Sequence, residues 1–107
     1  MSLDIYLTET RPMCVFDANI THNLNTMAEA AGLYQALWRP EEILINRAGD
    51  LVQLLEQGLA QLRAEPERFR ALNPANGWGD YDGLVRFVER YLEACKENPN
   101  AAVSVSR

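Results

Sequence analysis

The chain has little of the chemistry from which metal and disulfide sites are built. Its 107 residues include two cysteines and one histidine. Cys14 and Cys95 form no CxxC pair and have no cysteine or histidine neighbour at the spacing of a metal site. We therefore predict two reduced, partly buried thiols, with a disulfide and a reactive thiol as alternatives, and we predict no metal or other cofactor.

Long hydrophobic runs are also missing. No window approaches the roughly 18 apolar residues that indicate a membrane-spanning helix. The opening segment MSLDIYLTET has neither a basic region nor a long apolar core, so we predict no secretory signal peptide. A reducing cytoplasm is therefore the expected compartment.

Positive charge is in the minority. Lysine and arginine number 10 against 15 aspartates and glutamates, which gives a formal net charge of −5. A nucleic-acid binder needs a basic face that displaces counterions from phosphates, and an anionic membrane surface attracts the same kind of face. The acidic balance therefore argues against both nucleic acid and membrane as partners.

What remains is an ordinary globular composition, with 48% hydrophobic and 23% charged residues. A chain of this length fits one domain, residues 1–107, with enough apolar surface for a core. The sequence contains no internal repeat, low-complexity segment or linker.

Hydrophobic periodicity predicts strands at both ends of the chain. In LDIYL, near the N-terminus, apolar residues occupy every second position, which is typical of a half-buried strand. We predict a hairpin of strands 2–8 and 13–19, joined by a turn at 9–12. The segment AAVSVS near the C-terminus alternates again and is predicted to join this hairpin.

Three amphipathic helices are predicted between the strands, from apolar residues spaced three and four positions apart. The first runs from the N-cap Thr21 to Gly32, the second spans about 47–63, and the third follows Asp80. A three-stranded antiparallel sheet cannot cover its own apolar face, so the helices must pack on it. The predicted fold is a two-layer α+β domain with about three main helices.

Smaller features add detail to this fold. Pro66 either ends the second helix or starts a short one with Phe69 and Leu72 pointing inward, and Pro40 is predicted to open another helical turn. Gly58 lies on the apolar side of the second helix. Since glycine weakens a helix by about 1 kcal/mol relative to alanine, we predict a close contact there with another helix or with the sheet.

Short polar side chains are concentrated in two loops that lead into helices. One loop is DANITHNLN, residues 17–25, and the other is NPANGWGDY, residues 73–81. Helix N-termini carry unpaired N–H groups that suit anions and carbonyl groups. The alternative is purely structural, because Asn, Asp and Thr are favoured as caps and in turns.

The ligand-binding hypothesis assigns roles to most of the candidate residues. Side chains of the first loop would hydrogen-bond a small polar or nucleotide-like ligand, Trp78 and Tyr81 would stack on it, and Arg68 or Arg70 would meet an anionic group. The alternatives are that Trp78 fills the core and that the arginines lie on solvated helix faces. The candidate residues are Asn19, Thr21, His22, Asn23, Asn76, Trp78, Asp80, Tyr81, Arg68 and Arg70.

Two other functions remain open on sequence alone. Exposed sheet edges, with surplus aromatic residues such as Trp38 and Trp78, are consistent with a protein-interaction module that acts as a homodimer. Trp38 is also predicted to pack into the core, next to the start of the Pro40 turn. His22 with Asp17 or Asp80 would suit a hydrolase or transferase, since histidine titrates near neutral pH. No nucleophile-elbow, HExxH or phosphate-loop motif accompanies them. We therefore favour a non-enzymatic binding domain.

Three segments resemble motifs of a family of small uncharacterised proteins from bacteria, phages and prophages. They are DIYL (Asp4–Leu7), NITHN (Asn19–Asn23) and NPANGWGDY (Asn73–Tyr81). The resemblance extends over nearly the whole chain, and the family has no established activity. It implies one full-length domain and a shared role for the asparagines of the second segment with Trp78 and Tyr81, in folding or in binding.

Overall fold

The computed structural model of the chain describes residues 2–8 and 14–107. The strands are β1 (Ser2–Thr8), β2 (Cys14–Thr21) and β3 (Ala102–Ser106). The helices are α1 (Asn25–Ala30), α2 (Tyr34–Trp38), α3 (Val52–Ala64), α4 (Pro66–Arg70) and α5 (Tyr81–Glu97). Short 3-10 turns cover His22–Leu24, Pro40–Ile43 and Ala48–Leu51. The turn predicted at 9–12 lies outside the described residues.

The strands form one antiparallel sheet with β1 in the centre, in the order β2-β1-β3. Ile5 lies opposite Ala18 of β2 and Val105 of β3. The predicted hairpin with the C-terminal strand added to it is therefore confirmed. β2 extends two residues beyond the predicted strand, because Ile20 and Thr21 still pair with β1.

The alternation in β1 divides the sheet into two different faces, since residues directly opposite each other share a face. The inner face carries the fully buried Leu3, Ile5 and Leu7. The outer face carries polar side chains, with Asp4 opposite Asn19 at its centre. The other outward residues of β1 and β2 include Ser2, Tyr6, Asp17 and Thr21.

The helices cover the inner face of the sheet. α5 packs beneath β2, where the rings of Phe16 and Tyr91 stack with their centroids 6.1 Å apart. α3 packs against α5, and α1 continues the 3-10 turn that follows β2. The predicted two-layer α+β fold, with a three-stranded sheet and three main helices, is thus confirmed.

The prediction that Leu72 points inward is wrong, since 36% of this residue is exposed. α4 ends at Arg70, and the chain then turns tightly, with Leu72 N–H donating to the Phe69 carbonyl at 2.9 Å. Helical spacing would have kept Leu72 near the buried face of Phe69, and this turn removes it. Trp38 is buried, which confirms its predicted place in the core and makes it unavailable to an interaction surface.

The two outer edges of the sheet differ. Beside β3, the N–H of Val103 donates to Asn46 O and the N–H of Ala48 donates to Ala101 O, both at 2.9 Å. A bridge between Arg47 and Ala102 completes this cover. In the described part of the chain, no comparable segment pairs with the free edge of β2.

The two cysteines are free and lie in opposite environments. Cys14 is exposed at the start of β2, and Cys95 is fully buried on α5. The prediction that both are partly buried is therefore wrong. Burial raises the pKa of Cys95 to about 12, because the apolar surroundings disfavour the thiolate. Cys95 is accordingly a packing residue with little thiolate to react.

Candidate functional site

The two polar loops lie side by side at one end of the outer sheet face. Between them is a groove of about 580 Å³. It is lined by Ser2, Asn19, Thr21, Asn23, Asn76 and Trp78. The structure thus brings together five of the ten residues that the sequence indicated, and it adds Ser2. Ser2 has no signal in the sequence, because only the pairing of Ser2 with Thr21 places it there.

Gly79 is the point where the two loops touch. A Cβ atom added to this glycine would lie 2.6 Å from Thr21 Cγ2 and 3.0 Å from Leu24 Cγ. Its φ of +94° also belongs to the region that favours glycine. The backbone of Gly79 lies so close to the side chains of Thr21 and Leu24 that only a residue without a Cβ atom fits there.

Trp78 is a surface residue, with 69% of the residue exposed. The interpretation that it fills the core is therefore wrong. Its backbone N–H donates to Asn76 Oδ1 at 3.0 Å, and Gly77 and Gly79 on either side of it have positive φ angles. This tight turn holds the backbone of Trp78 in place and presents the indole to the groove.

Tyr81 is buried, so it cannot stack on a ligand as the sequence suggested. Its hydroxyl donates to the carbonyl of Leu62 at 2.6 Å. Leu62 lies four residues before Pro66, which has no N–H with which to complete the helical bond to this carbonyl. Tyr81 takes the place of that missing donor and attaches α5 to α3.

We expect Tyr81→Phe to lower the free energy of unfolding by roughly 1–3 kcal/mol, because it leaves the Leu62 carbonyl without its donor. Tyr91→Phe is the matched control. The Tyr91 hydroxyl is buried with no partner in the described residues, so its removal should be neutral or slightly stabilising. Urea denaturation of both variants measures the difference. Equal losses would contradict the assignment.

Several candidate residues act as caps, as the structural interpretation of the loops predicted. At the start of α5, Asp80 Oδ1 accepts from Gly83 N–H at 2.7 Å and Asn73 Oδ1 accepts from Tyr81 N–H at 2.8 Å. In the first loop, Thr21 Oγ1 accepts from Asn23 N–H at 3.3 Å. These three N–H groups are therefore already bonded and are not free to donate to a ligand.

His22 lies outside the groove and faces the core. Its Nε2 atom is buried without a hydrogen-bond partner in the described residues, and its ring meets the Trp38 ring edge-on, with centroids 6.1 Å apart. Asp17 lies on the outer sheet face, opposite Tyr6, and Asp80 caps α5. The three groups occupy different environments, which does not favour the acid–base combination that a hydrolase or transferase would need.

Arg68 and Arg70 are not in the groove either. Arg68 forms an ion pair with Glu65, and Arg70 forms one with Glu67, both at 2.9 Å. The Arg70 guanidinium also lies 5.0 Å from the centroid of the Tyr81 ring. Both arginines are therefore paired with nearby carboxylates, one just before α4 and one within it, as the solvated-face alternative predicted.

A second hollow of about 390 Å³ lies between β2 and α5. It shares Asn19 and Thr21 with the groove and adds Arg86 and Arg90. The sequence places these arginines on one exposed face of the last helix, four positions apart. It does not say which strand they face, because that depends on how α5 packs on the sheet.

The lining of the groove defines what it can do chemically. Its side chains are three amides, two hydroxyls and one indole, all of them uncharged. Amides and hydroxyls donate and accept hydrogen bonds, and the indole offers a flat apolar surface. In the described residues, no group of three or more His, Cys, Asp or Glu side chains is arranged to hold a metal ion. The groove is built for hydrogen bonding and stacking.

Comparisons with protein-family models, curated proteins and solved structures find no match to this chain. The family resemblance of the three motifs therefore stays a prediction. None of the helices in the described ranges is long and apolar enough to cross a membrane.

Proposed function

We propose that the protein is a non-enzymatic binding domain for a small polar ligand with a flat ring, held in the groove beside Trp78. The observation that carries this proposal is the position of Trp78. Its indole is largely exposed, and three neutral asparagine amides line the groove next to it. Stacking on the indole and hydrogen bonds to the amides together suit a nucleobase or a similar polar ring.

The energetics favour a ligand at this position. An exposed indole leaves apolar surface in water, and covering that surface gains about 25 cal/mol per Å². Stacking of one base on an aromatic side chain contributes roughly 1–3 kcal/mol. The Asn76 hydrogen bond and the contact at Gly79 hold the loop before any ligand arrives, so little ordering is needed on binding.

Trp78→Ala tests the proposal. We expect the variant to lose binding by about tenfold to a hundredfold, as the stacking contribution implies, while its stability stays within about 0.5 kcal/mol of the parent protein. Native mass spectrometry of both proteins, purified from the natural host, compares any retained small molecule. Leu44→Ala is the control, since Leu44 is also exposed and does not line the groove. Equal retention by all three proteins would refute a ligand at Trp78.

The second candidate function is that of a protein-interaction module that acts as a homodimer. It is favoured by the outer edge of β2, with which no other strand pairs in the described residues. Pairing of two β2 strands about a twofold axis would give a continuous six-stranded sheet and satisfy the backbone groups of that edge. Light scattering at high micromolar concentration gives the oligomeric state, and native mass spectrometry of the same protein shows any retained small molecule. A monomer that retains a small molecule supports the binding domain, and a dimer without one supports the interaction module.

A further inference from the structure

Almost all basic side chains of the described residues form an ion pair or a hydrogen bond. Those within 3.6 Å of a carboxylate are Arg39, Arg63, Arg68, Arg70, Lys96 and Arg107. Arg47 instead donates to the backbone carbonyl of Asn100 at 2.7 Å. Within residues 2–8 and 14–107, only Arg86 and Arg90 form neither an ion pair nor a hydrogen bond through the guanidinium. Both of them line the hollow between β2 and α5.

Arg86 and Arg90 carry like charges on the same face of α5. Residues four positions apart are neighbours on a helix surface, and like charges at this spacing are mildly repulsive. Arg90 lies over the Phe16 ring, 6.0 Å from its centroid, which directs it towards β2. An anion between the two guanidinium groups would relieve the repulsion. A guanidinium group can donate two hydrogen bonds at once to two oxygens of a phosphate or carboxylate.

The hollow and the groove form one continuous surface. They share Asn19 and Thr21, so a ligand that contacts these residues reaches both. Asp80 also lines the hollow, and its Oδ1 accepts from Gly83 N–H. It lies six residues before Arg86, roughly 9 Å along the helix axis. Its charge therefore lies towards Trp78, away from the arginine end.

We infer that the ligand is an anion bearing a flat ring, of the chemical class of a nucleoside phosphate, with its ring on Trp78 and its anionic group between Arg86 and Arg90. This inference rests on the proposed function and extends it to the charge of the ligand. It also moves the anion-binding role from Arg68 and Arg70 to two residues of α5.

The experiment compares the four common nucleosides with their 5′-monophosphates and with inorganic phosphate, in titrations of the protein followed by amide NMR shifts. The parent protein should bind one or more monophosphates at least about tenfold more tightly than the matching nucleoside, because charge-assisted hydrogen bonds are added. A double variant, Arg86→Gln with Arg90→Gln, should lower monophosphate affinity to that of the nucleoside. It should leave nucleoside affinity unchanged.

Arg68→Gln with Arg70→Gln is the matched control. It also removes two positive charges, but from arginines of α4 that do not line the hollow. This control should keep the full preference for the monophosphate. An equal loss in both double variants would overturn the inference, because it would reflect net charge rather than a site. Thermal unfolding of each variant verifies that the fold is retained.

The outcomes separate the two proposals. If nucleoside and monophosphate bind equally and Trp78→Ala abolishes both, the inference fails and the proposed function stands. If inorganic phosphate alone binds and Trp78→Ala does not change its affinity, no ligand spans Trp78 and the two arginines. The inference is then overturned, and the proposed function loses its support. If no probe shifts any resonance, the inference of a nucleoside phosphate is overturned.

Discussion

Gly79→Ala is expected to lower the free energy of unfolding by roughly 2–4 kcal/mol and to weaken ligand binding without changing Trp78. Two effects add. Alanine at a φ of +94° is strained, and its Cβ atom would lie 2.6 Å from Thr21 Cγ2. Relief of this overlap must push the two loops apart, and the groove that they form would then change shape. Urea denaturation and ligand titration measure the two effects separately.

Gly77→Ala is the matched control for this prediction. Gly77 also has a positive φ, +77°, but among the described residues no atom beyond its chain neighbours lies within 4 Å of its added Cβ. We expect only the strain of roughly 1–2 kcal/mol there. Thr21→Ser in the Gly79→Ala background removes Cγ2 and keeps the hydroxyl that accepts from Asn23 N–H, so it should restore part of the stability. Equal losses at the two glycines would show that the loops do not depend on this contact.

Gly58→Ala is expected to lower the free energy of unfolding by about 2 kcal/mol. The added Cβ atom would lie 2.2 Å from Leu33 Cδ2 and 2.3 Å from Leu33 Cγ. Leu33 is fully buried just before α2, so it has no space to move into. The close approach predicted at Gly58 is confirmed, but its partner is the turn before α2 and not a helix or the sheet. It brings α3 against the segment between α1 and α2.

Denaturant unfolding measures this change, and two further variants interpret it. Gln57→Ala, at the neighbouring exposed position of α3, should change stability by less than about 0.5 kcal/mol. In a Leu33→Ala background, which itself leaves a cavity and costs about 2–5 kcal/mol, the clash is gone. Gly58→Ala should then be neutral or stabilising by about 1 kcal/mol, the helix preference of alanine. A single Gly58→Ala variant as stable as the parent would contradict the packing described at Leu33.

Most of the fold was predictable, because its signals are local. Period-two alternation in β1 and the stripe of apolar residues in α5 each follow from the geometry of one element. An isolated antiparallel sheet also leaves few arrangements for the helices. The errors lie where an element ends. Leu72 was misplaced because α4 stops two residues before it, and β2 was predicted too short because its pairing with β1 extends to Thr21.

The candidate site was predictable only as two loops. Asn19 and Trp78 lie in segments whose composition marks them, and the structure places them on one groove. The composition of the second loop suggests stacking on a ligand for both of its aromatic residues, but only one of them can do so. Trp78 is exposed, whereas Tyr81, three positions later and inside the helix, compensates for a carbonyl that Pro66 leaves without a donor. That compensation joins residues far apart in sequence.

The sequence by itself determined the α+β class, the strand and helix order, and the caps, because these follow from periodicity and from backbone hydrogen bonds between near neighbours. Only the tertiary structure decided which residues share a surface. The packing of α5 under β2 places Arg86 and Arg90 beside Asn19, and the missing Cβ of Gly79 lets the Trp78 loop reach Thr21. The physical reason is that such contacts depend on the relative placement of whole elements, which no local spacing encodes.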